Sequence, residues 1–587
     1  MQPSGMRPSG SGDGGEGDRP GSRRLTTIIP IAVIVVIAGV VGAIVLLGGG
    51  DDDGGETTSG TVGVTDAASE WADVELQDGV MPYDVAVADG TADEIEWGPR
   101  CDTEIGRLAL PLFPQQPCLA PFDGDNGGET ATGVTADSVK VVVYLAQPND
   151  PVLKVVYSQI QNDDTTDQVW ETYQSFVAMF EKYYELYGRR VELIRYDATG
   201  TILDPVAATA DAEAIANDIR PFMVLGGPLL TNAFADTLAA NKIMCVSCGP
   251  GQPNDWYVER APYVWDIQKN PTQNQQLSAE YIGKRLQGKP AVFAGDESMH
   301  GTERVFGYVH VISGETSQQL EDAYVAELGK YDVALARIEK YASPTELGGT
   351  GRDMINRLKA AGVTTVIFAG DPLAPQTLTR IATEQEYFPE WVMTGTVLVD
   401  TTAFSRTYDQ QQWAHAFGPS NLFARVDPTK AGAAYLHQWY YGKAAPADQT
   451  LAILVPNLQF FFNGAQLTGP NLTPEEFQNA LFSIPIIPST PVTPQISYGN
   501  RGFFGKNTDF NALDDQTEIW WDAAATGPDE LNRSGTGMWR YVAGGKRYLP
   551  GEWPETDPDV FVEAGTVLIF DEPPAEAAID ANYTPLK

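Results

Sequence analysis

Cations are scarce in this chain of 587 residues: 38 Lys and Arg stand against 78 Asp and Glu, a formal net charge of -40. Such a surface repels phosphate backbones and anionic headgroups over long range, which excludes nucleic acid as a partner. Histidine is equally sparse, with four residues at His300, His310, His415 and His437 and no H-x-x-x-H spacing, so no histidine metal site is legible. No Walker loop, no G-x-S-x-G elbow and no EF-hand spacing occurs, and Asp514, Asp515, Glu518 and Asp522 read as surface acid. Catalytic residues, metal ions and cofactors are therefore expected to be none.

Cysteine is limited to four positions, Cys101, Cys118, Cys245 and Cys248. An even number in an exported chain favours disulfides. The simplest of the three connectivities is local, Cys101 with Cys118 around Pro111, Pro114 and Pro117, and Cys245 with Cys248. The second pair has two rival readings. A redox dithiol would sit at a helix N-terminus that lowers the thiol pKa, whereas this one ends a strand; a zinc site would need about four ligands. A disulfide stiffening a loop is the favoured reading.

One long uncharged run is present at residues 25–47, LTTIIPIAVIVVIAGVVGAIVLL. As a helix it would cover roughly 34 Å, enough for a bilayer core. Arg19, Arg23 and Arg24 precede it and Asp51, Asp52, Asp53 and Glu56 follow, so the positive-inside rule places residues 1–24 in the cytoplasm and the remainder outside. A cleavable signal peptide is the rival, but its apolar core should span only about 7–15 residues before a small-residue cleavage site. No cysteine precedes Cys101, so no lipobox is expected. The expected localisation is the cell membrane, single-pass, with the main domain extracellular.

Residues 1–24 and 48–70 are rich in Gly, Ser and acid, and read as a cytoplasmic tail and a flexible linker. Residues 71–135 form an extension carrying the first cysteine pair. From residue 139 the pattern alternates between apolar strand runs and helical spacing: strands at 139–145, 191–196, 222–225 and 243–247, with helices between them, among them 207–219 and 232–240. A second series follows, with strands at 291–294, 334–341, 365–369 and 391–394 and helices at 274–286, 302–328, 354–361 and 376–384. Helices at 430–440, 451–462 and 474–482 precede short strands at 518–522 and 538–541. Repeating βα units imply parallel sheets, and two series imply two lobes. The expected boundaries are residues 136–550 for the two-lobed domain, with lobe 1 at about 136–265 and part of 395–550, lobe 2 at about 266–394, and a tail at 551–587 with little regular structure.

Three stretches carry a resemblance: Gly133-Val134-Thr135-Ala136-Asp137-Ser138-Val139-Lys140, then Asp204-Pro205 followed by Ala207, Ala208, Ala212 and Ile215, then Val224-Leu225-Gly226-Gly227-Pro228. In this order and spacing they resemble the branched-chain amino-acid receptor family of type I periplasmic binding proteins, which serve ABC importers. The likeness spans about residues 133–465, and the anchor and extension look like those of actinobacterial surface members. It implies an α/β fold of two Rossmann-like parallel sheets joined by hinge crossings, closing on a small-molecule solute, with an ABC permease as partner. The physical rule for open α/β sheets agrees, since ligands bind beyond strand carboxyl ends, where helix N-termini offer free N–H groups.

The resemblance also supplies the candidate contacts. Gly227, Leu229, Leu230 and Thr231 belong to the turn after the third strand, where this chain offers a single hydroxyl. Ser247, Cys248 and Gly249 follow the fourth strand; His300, Asp371 and Thr396 lie on second-lobe loops. The first loop, 146–167, is longer than usual and is expected to be a lid or a surface excursion. His310 is expected in a helix as an ordinary helical residue. The reading that follows is an extracellular solute-binding protein for amino acids or related small carboxylates and amides. The alternatives are a sensing receptor without an importer, and a hydrolase on an α/β scaffold.

Overall fold

A computed structural model describes residues 76–579 except 313–315, 397 and 430–431, together with 71, 74 and 582–587. The apolar run at 25–47 lies outside the described residues, and no helix among those described is long and apolar enough to cross a membrane.

The first lobe opens with β1 (Ser138–Leu145), whose run of valines is buried on both faces, as a central parallel strand must be. Helices α1 (Pro151–Gln159) and α2 (Thr166–Phe180) follow, the second started by a capping box between Thr165 and Gln168. Then come β2 (Arg190–Asp197), α3 (Pro205–Ala214), β3 (Met223–Leu225), α4 (Ala233–Ala240), β4 (Met244–Val246) and β5 (Val264–Trp265). Asp204 caps α3 by accepting from the N–H groups of Val206 and Ala207, with Pro205 in the first turn where its missing donor costs nothing. The sheet order is β2-β1-β3-β4-β5, all parallel.

After the crossing at residues 266–270 the chain enters the second lobe. Its elements are α5 (Pro271–Tyr281), β6 (Phe306–Val311), α6 (Ser317–Gly329), β7 (Leu335–Tyr341), α7 (Leu347–Ala360), β8 (Thr365–Ala369), α8 (Ala374–Glu384), β9 (Glu390–Met393) and β10 (Ala416–Ser420). Three helices return to the first lobe, α9 (Gly432–Tyr441), α10 (Leu451–Thr468) and α11 (Pro474–Ser483); Phe460, Phe461 and Phe477 join its core. The chain then crosses back and adds β11 (Gln516–Pro528), β12 (Ser534–Tyr541) and β13 (Arg547–Tyr548) to the second sheet, which has eight strands. Strands β6 to β10 are parallel, and β11 joins β10 antiparallel.

The structure moves the first strand of the second lobe. Residues 291–294, expected as a strand, form turns, and the expected helix 302–328 is strand β6 followed by α6. The stretch Phe-Gly-Tyr-Val-His-Val pairs with β7 and β8, so its β-branched and aromatic side chains outweigh the helical spacing of the longer window. His310 is accordingly a strand residue, not a helical one.

The long first loop is neither a free lid nor a surface excursion. Asp150, itself buried, accepts from the N–H groups of Val152, Leu153 and Ile202 and so sets the start of α1. Val152, Leu153 and Val156 then enter the apolar core of the second lobe beside Leu347, Leu373 and Phe404. The helix therefore straps the two lobes together.

Cys101 is bridged to Cys118 and Cys245 to Cys248. The first bridge fixes an extension whose Trp97, Leu108 and Leu110 pack on the first lobe, while Trp553 and Val560 of the last segment pack on the second. After Pro550 the only regular pieces among the described residues are Ile569–Phe570 and a short turn at Ala575–Ala577.

Candidate functional site

A cavity of about 200 Å³ opens at the carboxyl ends of β6, β8, β9 and β10. Its far side is formed by the first-lobe loop 250–252 and by Asp266 and Lys269 of the crossing, so both lobes wall it. Tyr308 and His310 lie two apart on β6 and share its cavity face, as strand periodicity requires. Their rings stack with centroids 4.7 Å apart and planes 14° apart. Tyr324, one of the residues α6 contributes to the lining, meets Tyr308 edge-on at 5.1 Å and accepts a hydrogen bond from Ser278 at 3.2 Å.

His310 Nδ1 is 3.0 Å from the Val311 carbonyl and Nε2 is 2.6 Å from Glu321. Both partners are acceptors, so only the doubly protonated ring satisfies both. Burial lowers its pKa, and the Glu321 carboxylate pulls the other way. We favour the imidazolium, because the neutral ring would leave one short contact without a proton. Lys340 also reaches Glu321 at 2.6 Å.

A wall of amides forms another side. Asn274 on α5 donates to the Thr394 carbonyl at 2.8 Å and accepts from Asn421 at 3.1 Å and Gln516 at 2.8 Å. Three chain segments from different parts of the sequence are thereby fixed around it. Gln275 donates to the Leu320 carbonyl at 2.9 Å, and its Oε1 is buried without a partner.

The crossing supplies charge. Lys269 donates to the carbonyls of Asp515 at 2.6 Å and Leu513 at 3.3 Å, which leaves one of its three N–H groups for the cavity. Desolvation pulls its pKa down to about 8, against the pull of Asp515. Burial pushes the Asp266 carboxyl up to about 7, although it accepts from the Gln268 N–H and the Tyr257 hydroxyl. Asp400, bonded to Ser420 at 2.5 Å, is pushed by burial to about 6. Among the described residues no three His, Cys, Asp or Glu side chains group so as to hold a metal ion.

The expected contact residues fall into four groups. Thr396 lines the cavity, as do its neighbours Thr394 and Gly395. Ser247, Cys248 and Gly249 are buried in packing: Ser247 donates to Asn457 of α10 at 2.9 Å, and a Cβ on Gly249 would come within 2.6 Å of the Trp256 ring. The loop directly after them, 250–252, reaches the cavity instead. Gly227 lies against this Cys248 loop, its Cβ position 3.0 Å from the Cys248 backbone. Leu229 and Leu230 face the second lobe beside α1, and Thr231 accepts from the Ala233 N–H at 3.3 Å. Leu229 lines a second, smaller cavity of about 70 Å³ between α1 and the second lobe.

Asp371 and His300 serve other ends. Asp371 is buried, accepts from the N–H groups of Leu373 and Ala374 and from the Tyr341 hydroxyl at 2.7 Å, and so caps the start of α8. His300 bonds the Ala294 carbonyl at 2.6 Å in a segment tied to Phe388, at the amino ends of the strands and opposite the cavity. Its placement follows from the displaced strand: with β6 at 306–311, residues 297–300 precede the strand. The alternation Phe306, Tyr308, His310 was the available signal for the residues sequence reasoning missed.

No protein-family model matches the sequence, and no curated protein matches it. Among solved structures, the chain is similar to a Leu-, Ile-, Val-, Thr- and Ala-binding protein from Brucella ovis in a closed conformation, with 12% identity, 72% of this chain and 98% of that one covered, and a TM-score of 0.47. It is also similar to an ABC-transporter solute-binding protein from Rhodopseudomonas palustris HaA2 in complex with p-hydroxybenzoic acid, with 14% identity, coverage of 68% and 97%, and a TM-score of 0.47. A third is a fatty-acid ABC-transporter substrate-binding protein from Thermomonospora curvata, with 13% identity, coverage of 70% and 94%, and a TM-score of 0.46. Two of these neighbours are solute- or substrate-binding proteins of ABC transporters, and the third is an amino-acid-binding protein.

Proposed function

We propose that this chain is a binding protein for a small solute held between its lobes, and that it hands the solute to an ABC importer. One observation carries the reading: the cavity of about 200 Å³ is walled by the carboxyl-end loops of the second sheet and by first-lobe and crossing residues together. An occupant touching both walls would favour the closed arrangement over the open one, which is how binding is converted into a signal that a partner can read. The stacked Tyr308 and His310 suit a flat or apolar group, while Asn274, Gln275 and Lys269 suit an amide or carboxylate. The small carboxylates and amides anticipated from the sequence meet these demands.

The same proposal includes tethering at the cell surface. The uncharged run at 25–47 with arginines before it and aspartates after it supports one retained span with the lobes outside. A thermal-shift screen of the full-length chain against amino acids, short amides and aromatic acids tests the solute reading. A ligand at 100 times its Kd should stabilise by about 2.7 kcal/mol, and no shift with any member would sink the proposal.

A further inference from the structure

Leu398 lines the larger cavity and also the smaller one of about 70 Å³, so the two cavities adjoin at this residue. We infer that the bound solute is elongated and amphipathic, with its polar end in the larger cavity and a slim apolar tail reaching past Leu398 into the smaller one. This rests on the solute-binding reading above and adds the shape and polarity of the ligand.

The walls of the smaller cavity are mainly apolar side chains from both lobes: Leu153 and Val156 of α1, Ile160 at its end, Leu229, Phe404 of the second lobe and Ile453 of α10. Its one ionisable carboxylate, Glu530, is already committed to the backbone N–H groups of Thr402 and Ala403, each at 2.9 Å. Thr401 donates to the Leu398 carbonyl, and Asn162 accepts from the Asp164 N–H through its Oδ1. Tyr157 and Gln449 complete the polar part of the lining, and Gln449 Oε1 is a buried acceptor with no partner. A cavity so lined does not hold water well, and empty it forfeits packing on every wall. An alkyl tail would recover those contacts and would touch both lobes at once, adding to the preference for closure.

Leu398 itself is held at φ +62°, a backbone region that residues with a Cβ occupy rarely. It is buried where the two cavities adjoin. The Gly227–Thr231 turn thus acquires a role through Leu229, which meets the tail and not the polar head.

The test is titration calorimetry of the full-length chain with N-acetylglycine, N-butanoylglycine and N-hexanoylglycine, whose amide and carboxylate suit Asn274, Gln275 and Lys269. Affinity should rise roughly fourfold per added methylene, on the order of 100-fold between the first and last members. Leu229→Trp and Ile453→Phe, each filling the smaller cavity from the first lobe, should leave N-acetylglycine binding within about threefold and flatten the chain-length dependence. Either variant suffices if the other fails to fold. A flat series in the unaltered protein overturns the tail while leaving the solute reading intact. If only other solutes bind, this inference falls alone; if nothing binds in the screen either, both fall.

Discussion

Tyr308 and His310 project from the same face of one strand and stack with ring centroids 4.7 Å apart, which makes that face the aromatic floor of the cavity between the lobes. His310→Ala removes half of the floor yet leaves Glu321 paired with Lys340. For any solute found by screening, this variant is expected to weaken binding at least tenfold, about 1.4 kcal/mol. His300→Ala, at the opposite end of the sheet, should leave affinity unchanged. Calorimetry on both variants checks the pair of outcomes, and equal losses would contradict the placement of the cavity.

Asp371 caps α8 and bonds Tyr341, so its contribution is to stability. Asp371→Ala should lower the unfolding free energy by about 1–3 kcal/mol through the lost cap and the orphaned hydroxyl. Urea melts measure this. A variant as stable as the parent would show that the cap contributes nothing.

Stability should depend on pH through Asp266, whose carboxyl is pushed by burial from an ordinary aspartate value of 3.8 to about 7. Between those values the folded state binds the proton and the unfolded state does not. This group's contribution is therefore present at low pH and is lost as pH rises through about 7. His415 and His437, with pKa values lowered by burial, act oppositely below about 6.5, so the informative measurement is a comparison. Relative to Asp266→Asn, the parent should gain on the order of 2 kcal/mol as the pH is lowered from 8 to 5. A pH-independent difference between the two would remove Asp266 as the titrating group.

Val156 lies on the strap helix within the core of the second lobe. Val156→Asp would place an unpaired carboxylate in that core, and undocking the helix is the cheapest relief. The expected result is a larger radius of gyration in small-angle scattering with unchanged circular dichroism. Unaltered scattering would mean that α1 does not hold the lobes together.

The Cys101–Cys118 bridge spans a sequence separation of 17. In the chain-entropy account, breaking a loop of that length costs about 3 kcal/mol. Cys101→Ser with Cys118→Ser should show a loss of that order in urea melts. Peptide mapping without reduction should recover the two local pairs, and recovery of a cross-pair between Cys101 or Cys118 and Cys245 or Cys248 would refute the connectivity.

Local pattern carried most of the architecture. Val139, Val141, Val142 and Val143 announce a buried parallel strand, Asp204-Pro205 announces a capped helix, and the order of such units implies two sheets. These features depend on side chains a few residues apart, whose periodicity and capping chemistry operate within one element. The exception is β6, where Tyr308 and His310 sit within a window whose spacing also suits a helix; pairing with β7 and β8 decides between them.

The site was beyond the reach of such patterns. Asn274 meets Gln516 across 242 positions of sequence, and Ser247 meets Asn457 across 210, so whether a loop residue faces a ligand or a neighbouring helix is a matter of distance between elements. The same holds for α1: in the sequence 146–167 reads as a long loop, and only the approach of the second lobe gives the helix within it an apolar partner and makes it a strap. A cavity is the space that packing leaves unfilled, and close-packed interiors make that remainder sensitive to every side chain around it. Sequence periodicity says which face of an element is apolar; which face it meets, and what gap is left between them, is set by the three-dimensional arrangement of all the elements together.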